Sequence, residues 1–196
     1  MKVIGITGGV GAGKSRILDI LKDEYNAEIV QTDLVARKLM EKGNSGYNAL
    51  VKALQRDFLD EDGQIDRVKL AAILFQEPDV KKMVDALIHP MVWEAVEERK
   101  KTCTAPLLVV ESAIMDQEKD DIFDEIWYVY TSEANRIKRL AENRGYSAKR
   151  SRAMIASQPT EEEFKRISQQ VIDNNGSVED VRSRLRFLME GRGQEQ

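Results

Sequence analysis

Much that would direct a chain of this length toward redox, metal-cluster or membrane chemistry is missing. Cys103 is the only cysteine among 196 residues, so no internal disulfide can form and no multi-cysteine metal site exists. A thiol nucleophile would want an imidazole nearby, and His89 is the only histidine, so Cys103 reads as a small, partly buried apolar residue of a reducing compartment. No apolar run approaches the span of about 20 residues that a membrane helix needs. The first apolar stretch begins at once, leaving no room for a signal peptide, and these absences together predict a cytoplasmic protein. Net positive charge is also absent: 33% of residues are charged and the balance is −4, which disfavours non-specific nucleic-acid binding. There is no internal repeat or low-complexity tract, and the length suits one domain with an inserted subdomain.

What is present begins at residue 8. Gly8-Gly9-Val10-Gly11-Ala12-Gly13-Lys14-Ser15 fits the phosphate-binding pattern G-x-x-x-x-G-K-[ST] at every fixed position. Ahead of it Val3-Ile4-Gly5-Ile6 has the apolar character of a buried parallel strand, and behind it Ile17 to Lys22 has the spacing of an amphipathic helix. Glycines let successive backbone N–H groups point at one anion, and the helix N-terminus adds positive potential. In that setting Lys14 reaches the β/γ-phosphates of a nucleotide and the Ser15 hydroxyl holds Mg²⁺.

Four more strand candidates follow: Glu28–Gln31, Leu107–Val110, Ile126–Tyr130 and Gln170–Ile172. Helical segments separate them at roughly 14–25, 33–42, 132–144 and 177–190, the last opened by Ser177 with Asp180 in a capping-box pattern. The alternation predicts an α/β fold, a doubly wound parallel sheet of five strands. Residues 45–104 contain no strand and several helical runs, punctuated by Asp62-Gly63, Pro78 and His89-Pro90. Pro90 is expected at the first position of a helix. Residues 136–152 carry seven bases against one acid, Glu142, an arrangement suited to a basic lid over bound phosphate hinged at Gly145. The chain thus divides into a nucleotide-binding core (1–44 and 105–190), a helical insertion (45–104), a lid within the core (136–152) and a frayed tail (191–196).

In such a sheet, ligands bind at the carboxyl ends of the strands. Asp33, after the second strand, and Glu111, after the third, are therefore expected to converge on the phosphate site. Asp33 suits the base that takes a proton from an attacking hydroxyl, and Glu111 suits the metal side, directly or through water. Asp33 is also a favoured residue type for capping the following helix, a role compatible with chemistry. Arg139 and Arg144 are the candidates for stabilising charge on the transferring phosphoryl group, while Arg136 and Arg150 could pair with surface acids. His89 fits a turn-fixing side chain.

These residues together resemble the dephospho-coenzyme A kinases over nearly the whole length. The resemblance is carried by Ile4 to Ser15, Thr32-Asp33-Leu34-Val35-Ala36-Arg37, Gly63-Gln64-Ile65-Asp66-Arg67 with Leu70 and Phe75, and Ile88-His89-Pro90 with Val92. Ser157-Gln158 and Ile172-Asp173-Asn174-Asn175-Gly176-Ser177 complete it. The resemblance implies ATP-dependent phosphorylation of the ribose 3′-hydroxyl of dephospho-coenzyme A, with Mg²⁺, and no nucleic-acid or membrane partner. It implies Asp33 as base, Arg139 and Arg144 of the lid near the phosphates, Gln158 and Asn175 toward the nucleotide base, and Arg37 and His89 on the acceptor side; a monomer or weak homo-oligomer is expected. Two departures stand out: Glu111-Ser112-Ala113-Ile114-Met115-Asp116-Gln117, where the family has an Asp-Ile-Pro-Leu-Leu-Phe-Glu-like run, and Phe58-Leu59 in place of Phe-Gly. A kinase acting on another small alcohol or nucleotide is the neighbouring reading, and an inactive binding relative is disfavoured by intact Lys14, Ser15 and Asp33. A guanine-nucleotide switch is disfavoured because no Asn-Lys-x-Asp occurs.

Overall fold

The computed structural model describes residues 1–55, 57–113, 115 and 121–190. Ile114, Asp116 and Gln117 of the departing run, and the tail 191–196, lie outside the described residues.

The chain forms two compact units, Met1–Ile29 with Cys103–Gln196, and Val30–Thr102. The first holds β1 (Lys2–Thr7), α1 (Lys14–Tyr25), the start of β2 (Ala27–Gln31), β3 (Leu107–Glu111) and β4 (Glu125–Tyr130). It continues with α6 (Glu133–Arg144), α7 (Ala148–Ala156), α8 (Glu161–Ile167), β5 (Gln170–Asp173) and α9 (Val178–Glu190). The five-stranded sheet has the order β2-β3-β1-β4-β5, and the pairings of β1 with β3 and β4, and of β4 with β5, are parallel. β1 lies at the centre because it is apolar on both faces, with Val3, Ile4 and Ile6 at most 2% exposed. One core cluster joins Ile4, Ile6, Val109, Trp127 and Val129 of the strands to Ile17, Leu21, Val181 and Leu185 of α1 and α9. The chain leaves β1 between its two neighbours, the switch point where doubly wound sheets open a crevice, and the glycine loop occupies that position.

The second unit holds α2 (Thr32–Leu39), α3 (Ser45–Leu54), α4 (Arg67–Gln76) and α5 (Pro78–Thr102). α2, α3 and α4 each pack on α5, around a second cluster of Leu50, Leu54, Phe58, Leu70, Val84, Ile88 and Val92. An isolated antiparallel bridge joins Leu59 to Ile65 across the Asp62-Gly63 turn. This unit begins at Val30, and Val35, Ala36 and Leu39 of α2, with Met40 just after it, pack against the second cluster.

Pro90 does not open a helix. It lies inside α5, which begins at Pro78 instead. Pro78 takes the first-turn position where a missing N–H costs nothing. Pro90 forfeits one helical hydrogen bond, and buried Ile88, Val92 and Trp93 on both sides of it hold the helix through that loss. The capping box expected at Ser177 is present: the Ser177 hydroxyl accepts from the Asp180 N–H at 3.2 Å, and the Asp180 carboxylate accepts from the Ser177 N–H at 2.8 Å.

Candidate active site

The glycine loop runs from Gly8 to the first turn of α1. Gly13 caps that helix with a left-handed backbone (φ 84°) and no side-chain hydrogen bond, and no acid occupies the first turn. The leading N–H groups of α1 are thus left for an anion. Gly13 is required by its left-handed backbone, and a Cβ there would also meet the Asn174 carboxamide; at Gly9 a Cβ would displace the Arg136 guanidinium.

Lys14 folds back over this loop. Its Nζ donates to the Gly8 carbonyl at 2.7 Å and lies 3.4 Å from Glu111 Oε1. Glu111 arrives there because Ile6, the residue before Thr7 at the end of β1, is in register with it at the end of β3. The Lys14 and Glu111 side chains are only 15% and 12% exposed, so their attraction is less screened than that of a surface pair, and each neutralises a charge that burial would otherwise penalise.

The opposite side of the loop is held by the first part of the basic segment. Arg136 donates from Nε to the Val10 carbonyl and from Nη2 to Gln158 Oε1, both at 2.8 Å, and Gln158 Oε1 also accepts the Val10 N–H at 2.8 Å. The Ala12 carbonyl accepts from Thr131 Oγ1, Arg139 Nη1 and Asn174 Nδ2 at 2.9, 3.1 and 2.7 Å. Arg139 Nη2 further donates to the Asn174 carbonyl at 2.6 Å. Burial lowers the proton affinity of both guanidinium groups from its usual level, and it pushes the neighbouring Tyr128 hydroxyl up to about 12. Arginine tolerates this because its ordinary value lies far above neutrality.

The basic segment therefore divides. Arg136 and Arg139, three positions apart on one face of α6, turn inward. Lys138, Arg144, Lys149, Arg150 and Arg152 are exposed, with Arg150 stacked on the Tyr146 ring at 3.9 Å. Arg136 bonds to the loop rather than to a surface acid as expected. Asn175 Oδ1 accepts from the Ser132 N–H and from Asn135 Nδ2, both at 2.9 Å, which ties the β5–α9 connection to the start of α6. Two buried oxygens beside the loop, Thr7 Oγ1 and Asn174 Oδ1, have no partner among the described residues.

Asp33, Arg37 and His89 belong to the second unit and are all exposed. Asp33 is not the cap of α2; Gln31 is, and Asp33 sits in the first turn, where a carboxylate meets the positive end of the helix dipole. Arg37 borders a cavity of about 340 Å³ with Met40, Ile65, Arg67, Leu70 and Leu74. Neither Arg37 nor Arg67 has an ion pair among the described residues. Sequence reasoning missed Arg136, Asn174 and Thr131 as loop contacts. The spacing of Arg136 and Arg139 was the available sign.

A cluster of three or more carboxylate, thiol or imidazole groups able to hold a metal is absent among the described residues. The donors at the loop are the Ser15 hydroxyl and Glu111. That sparse oxygen set fits Mg²⁺, which takes one or two protein oxygens and fills its octahedron with phosphate and water.

Residues 2–180 match the family model described as dephospho-CoA kinase (CoaE). The chain belongs to the dephospho-CoA kinase family. It is an ATP-dependent kinase. A dephospho-CoA kinase of Staphylococcus epidermidis is 32% identical to it over 98% of this chain and 96% of that protein. Among solved structures, a Thermus thermophilus protein superposes with a TM-score of 0.81 at 26% identity, covering 97% of both chains. The dephospho-CoA kinase of Campylobacter jejuni gives 0.68 at 18% identity over 97% of this chain and 99% of that one, a likeness of fold. The kinase has no helix among its described residues long and apolar enough to cross a membrane.

Proposed function

We propose that this kinase transfers the γ-phosphoryl group of ATP to the ribose 3′-hydroxyl of dephospho-CoA, giving CoA and ADP. The observation that carries the reading is the family match over residues 2–180 together with the intact run Gly8 to Ser15 and Asp33. The triphosphate sits on the open N-terminus of α1, and Lys14 leaves the Gly8 carbonyl and Glu111 for the β/γ-phosphates. Asp33 accepts the proton of the 3′-hydroxyl, whose oxygen bonds to the γ-phosphorus as the bond to the ADP oxygen breaks. Arg139 and Arg144 offset charge on the transferring group, and Gln158 and Asn175 lie on the nucleotide side. Mg²⁺, held by Ser15 with Glu111 directly or through water, supplies charge neutralisation at the phosphates. Arg37 and His89 face the acceptor, and in the cavity Arg37 shares with Arg67, two guanidinium groups outnumber the Glu41 carboxylate over an apolar floor, which suits a pyrophosphate joined to an aliphatic arm. The enzyme works in the cytoplasm as a monomer or weak homo-oligomer.

Incubation with Mg-ATP and dephospho-CoA, followed by mass spectrometry, should show a product heavier by one phosphoryl group. Transfer to AMP, shikimate or gluconate with none to dephospho-CoA would overturn the assignment.

A further inference from the structure

A glycine-rich loop pays for its close approach to phosphate with conformational freedom: it has few side chains with which to pack itself in place. Backbone donors bind an anion tightly only if they are already oriented when it arrives. One point of this loop is fixed where Ala12 meets Thr131, Arg139 and Asn174. The other fixed point is Val10, whose peptide groups are held on both sides, N–H by Gln158 and C=O by Arg136, with the two holders bonded to each other.

We infer that Arg136 is a positioning residue for ATP, fixing the Gly9–Val10 part of the phosphate loop through Val10 and Gln158. Three features support it. The guanidinium packs directly against Gly9, where a Cβ would displace it. It is half-buried and hydrogen-bonded to a carbonyl and a carboxamide, with no carboxylate ion pair among the described residues. A guanidinium partly withdrawn from water with no carboxylate in direct contact loses hydration that is only partly replaced, and an incoming triphosphate offers the compensating charge. Nη1 bonds to none of the described residues and so keeps donors free.

The inference rests on ATP being the ligand of the loop, not on the acceptor. Arg136→Met removes every donor while keeping an apolar stem. Its affinity for a non-hydrolysable ATP analogue should fall, and its ATP KM rise, about 10- to 100-fold, with the dephospho-CoA KM unchanged. A merely structural role would lower kcat with the folded fraction and leave both KM values alone. Gln158→Leu should also weaken ATP binding, and the double variant should be no worse than Arg136→Met, since both break one latch. Should Arg136→Met fail to fold, Arg136→Lys serves: it keeps the charge but cannot reach both partners, so analogue affinity should still drop at least about fivefold. ATP affinity within about twofold of wild type in either folded arginine variant, or fully multiplicative losses in the double variant, overturns the inference. Wild-type protein that binds the analogue yet leaves dephospho-CoA unphosphorylated would refute the proposed function and leave this inference standing.

Discussion

The two compact units are stabilised by different means. Around the phosphate loop, polar side chains reach backbone groups far along the chain: Arg136 to Val10 across 126 positions, Asn174 to Ala12 across 162. In the helical unit the polar ties span shorter stretches, such as Lys42 to the Asp62 carbonyl across 20 positions and Tyr47 to the Gly63 carbonyl across 16, and an apolar cluster holds the helices together. The contrast follows from what each must present. A loop without side chains can be fixed only through its own carbonyl and amide groups, and that takes donors and acceptors supplied by distant elements. A wall of helices is fixed by packing, which leaves Arg37 and Arg67 uncommitted and Val68 and Phe75 81% and 90% exposed.

The largest test of this contrast is Asp33→Asn. It should lower kcat by about 10²- to 10⁴-fold while direct titration shows ATP binding retained, since the loop and its braces are untouched. An unchanged kcat would remove Asp33 from the mechanism and confine the chemistry to the first unit. Next comes Leu50→Ala, at a fully buried position of the helical cluster. It should cost about 2–5 kcal/mol of stability in denaturant unfolding and leave the affinity for an ATP analogue as it was. A parallel loss of nucleotide binding in folded protein would show that the phosphate loop depends on the packing of the helices. Asp66 caps α4 through the Val68 and Lys69 N–H groups, and Asp66→Ala should cost about 1 kcal/mol, read as a lower melting temperature.

The smallest effect concerns pH in the first unit. The Ser177 hydroxyl and N–H, by bonding to the Asp180 carboxylate, hold its pKa below the ordinary 3.8. A depressed folded value means the stabilisation is present in full above the unfolded value and disappears as pH falls through the folded one. The melting-temperature gap between wild type and Asp180→Ala should therefore be steady near neutrality and close in strongly acidic buffer. A gap that persists there would assign the cap's effect to the neutral hydrogen bond.

Much of this was legible in the residues. The phosphate pattern with its flanking strand and helix located the loop, and the strand candidates fell within a residue or so of β1 to β5, because apolar runs between helical periods can be buried in few other ways. Pro90 misled because breaker logic is local: a proline normally ends a helix, but in α5 the burial of Ile88, Val92 and Trp93 outweighs one lost hydrogen bond. Asp33 as a cap misled by two residues, since the α2 backbone turns helical at Thr32. The basic run suggested a uniform lid, whereas its members face two ways. Charge counting ignores helix face, and the face decides whether an arginine braces a loop or meets solvent.

By itself the sequence determined the class of sheet, the place of the phosphate loop and the kinase family, because these depend on periodicity and on residue types at short fixed spacing. Only the tertiary structure decided which arginines meet the loop, that α2 joins the helical unit, and that Lys14 rests on Gly8 and Glu111. Those contacts join residues far apart in the chain, and which donor reaches which carbonyl follows from packing distances that no local pattern encodes.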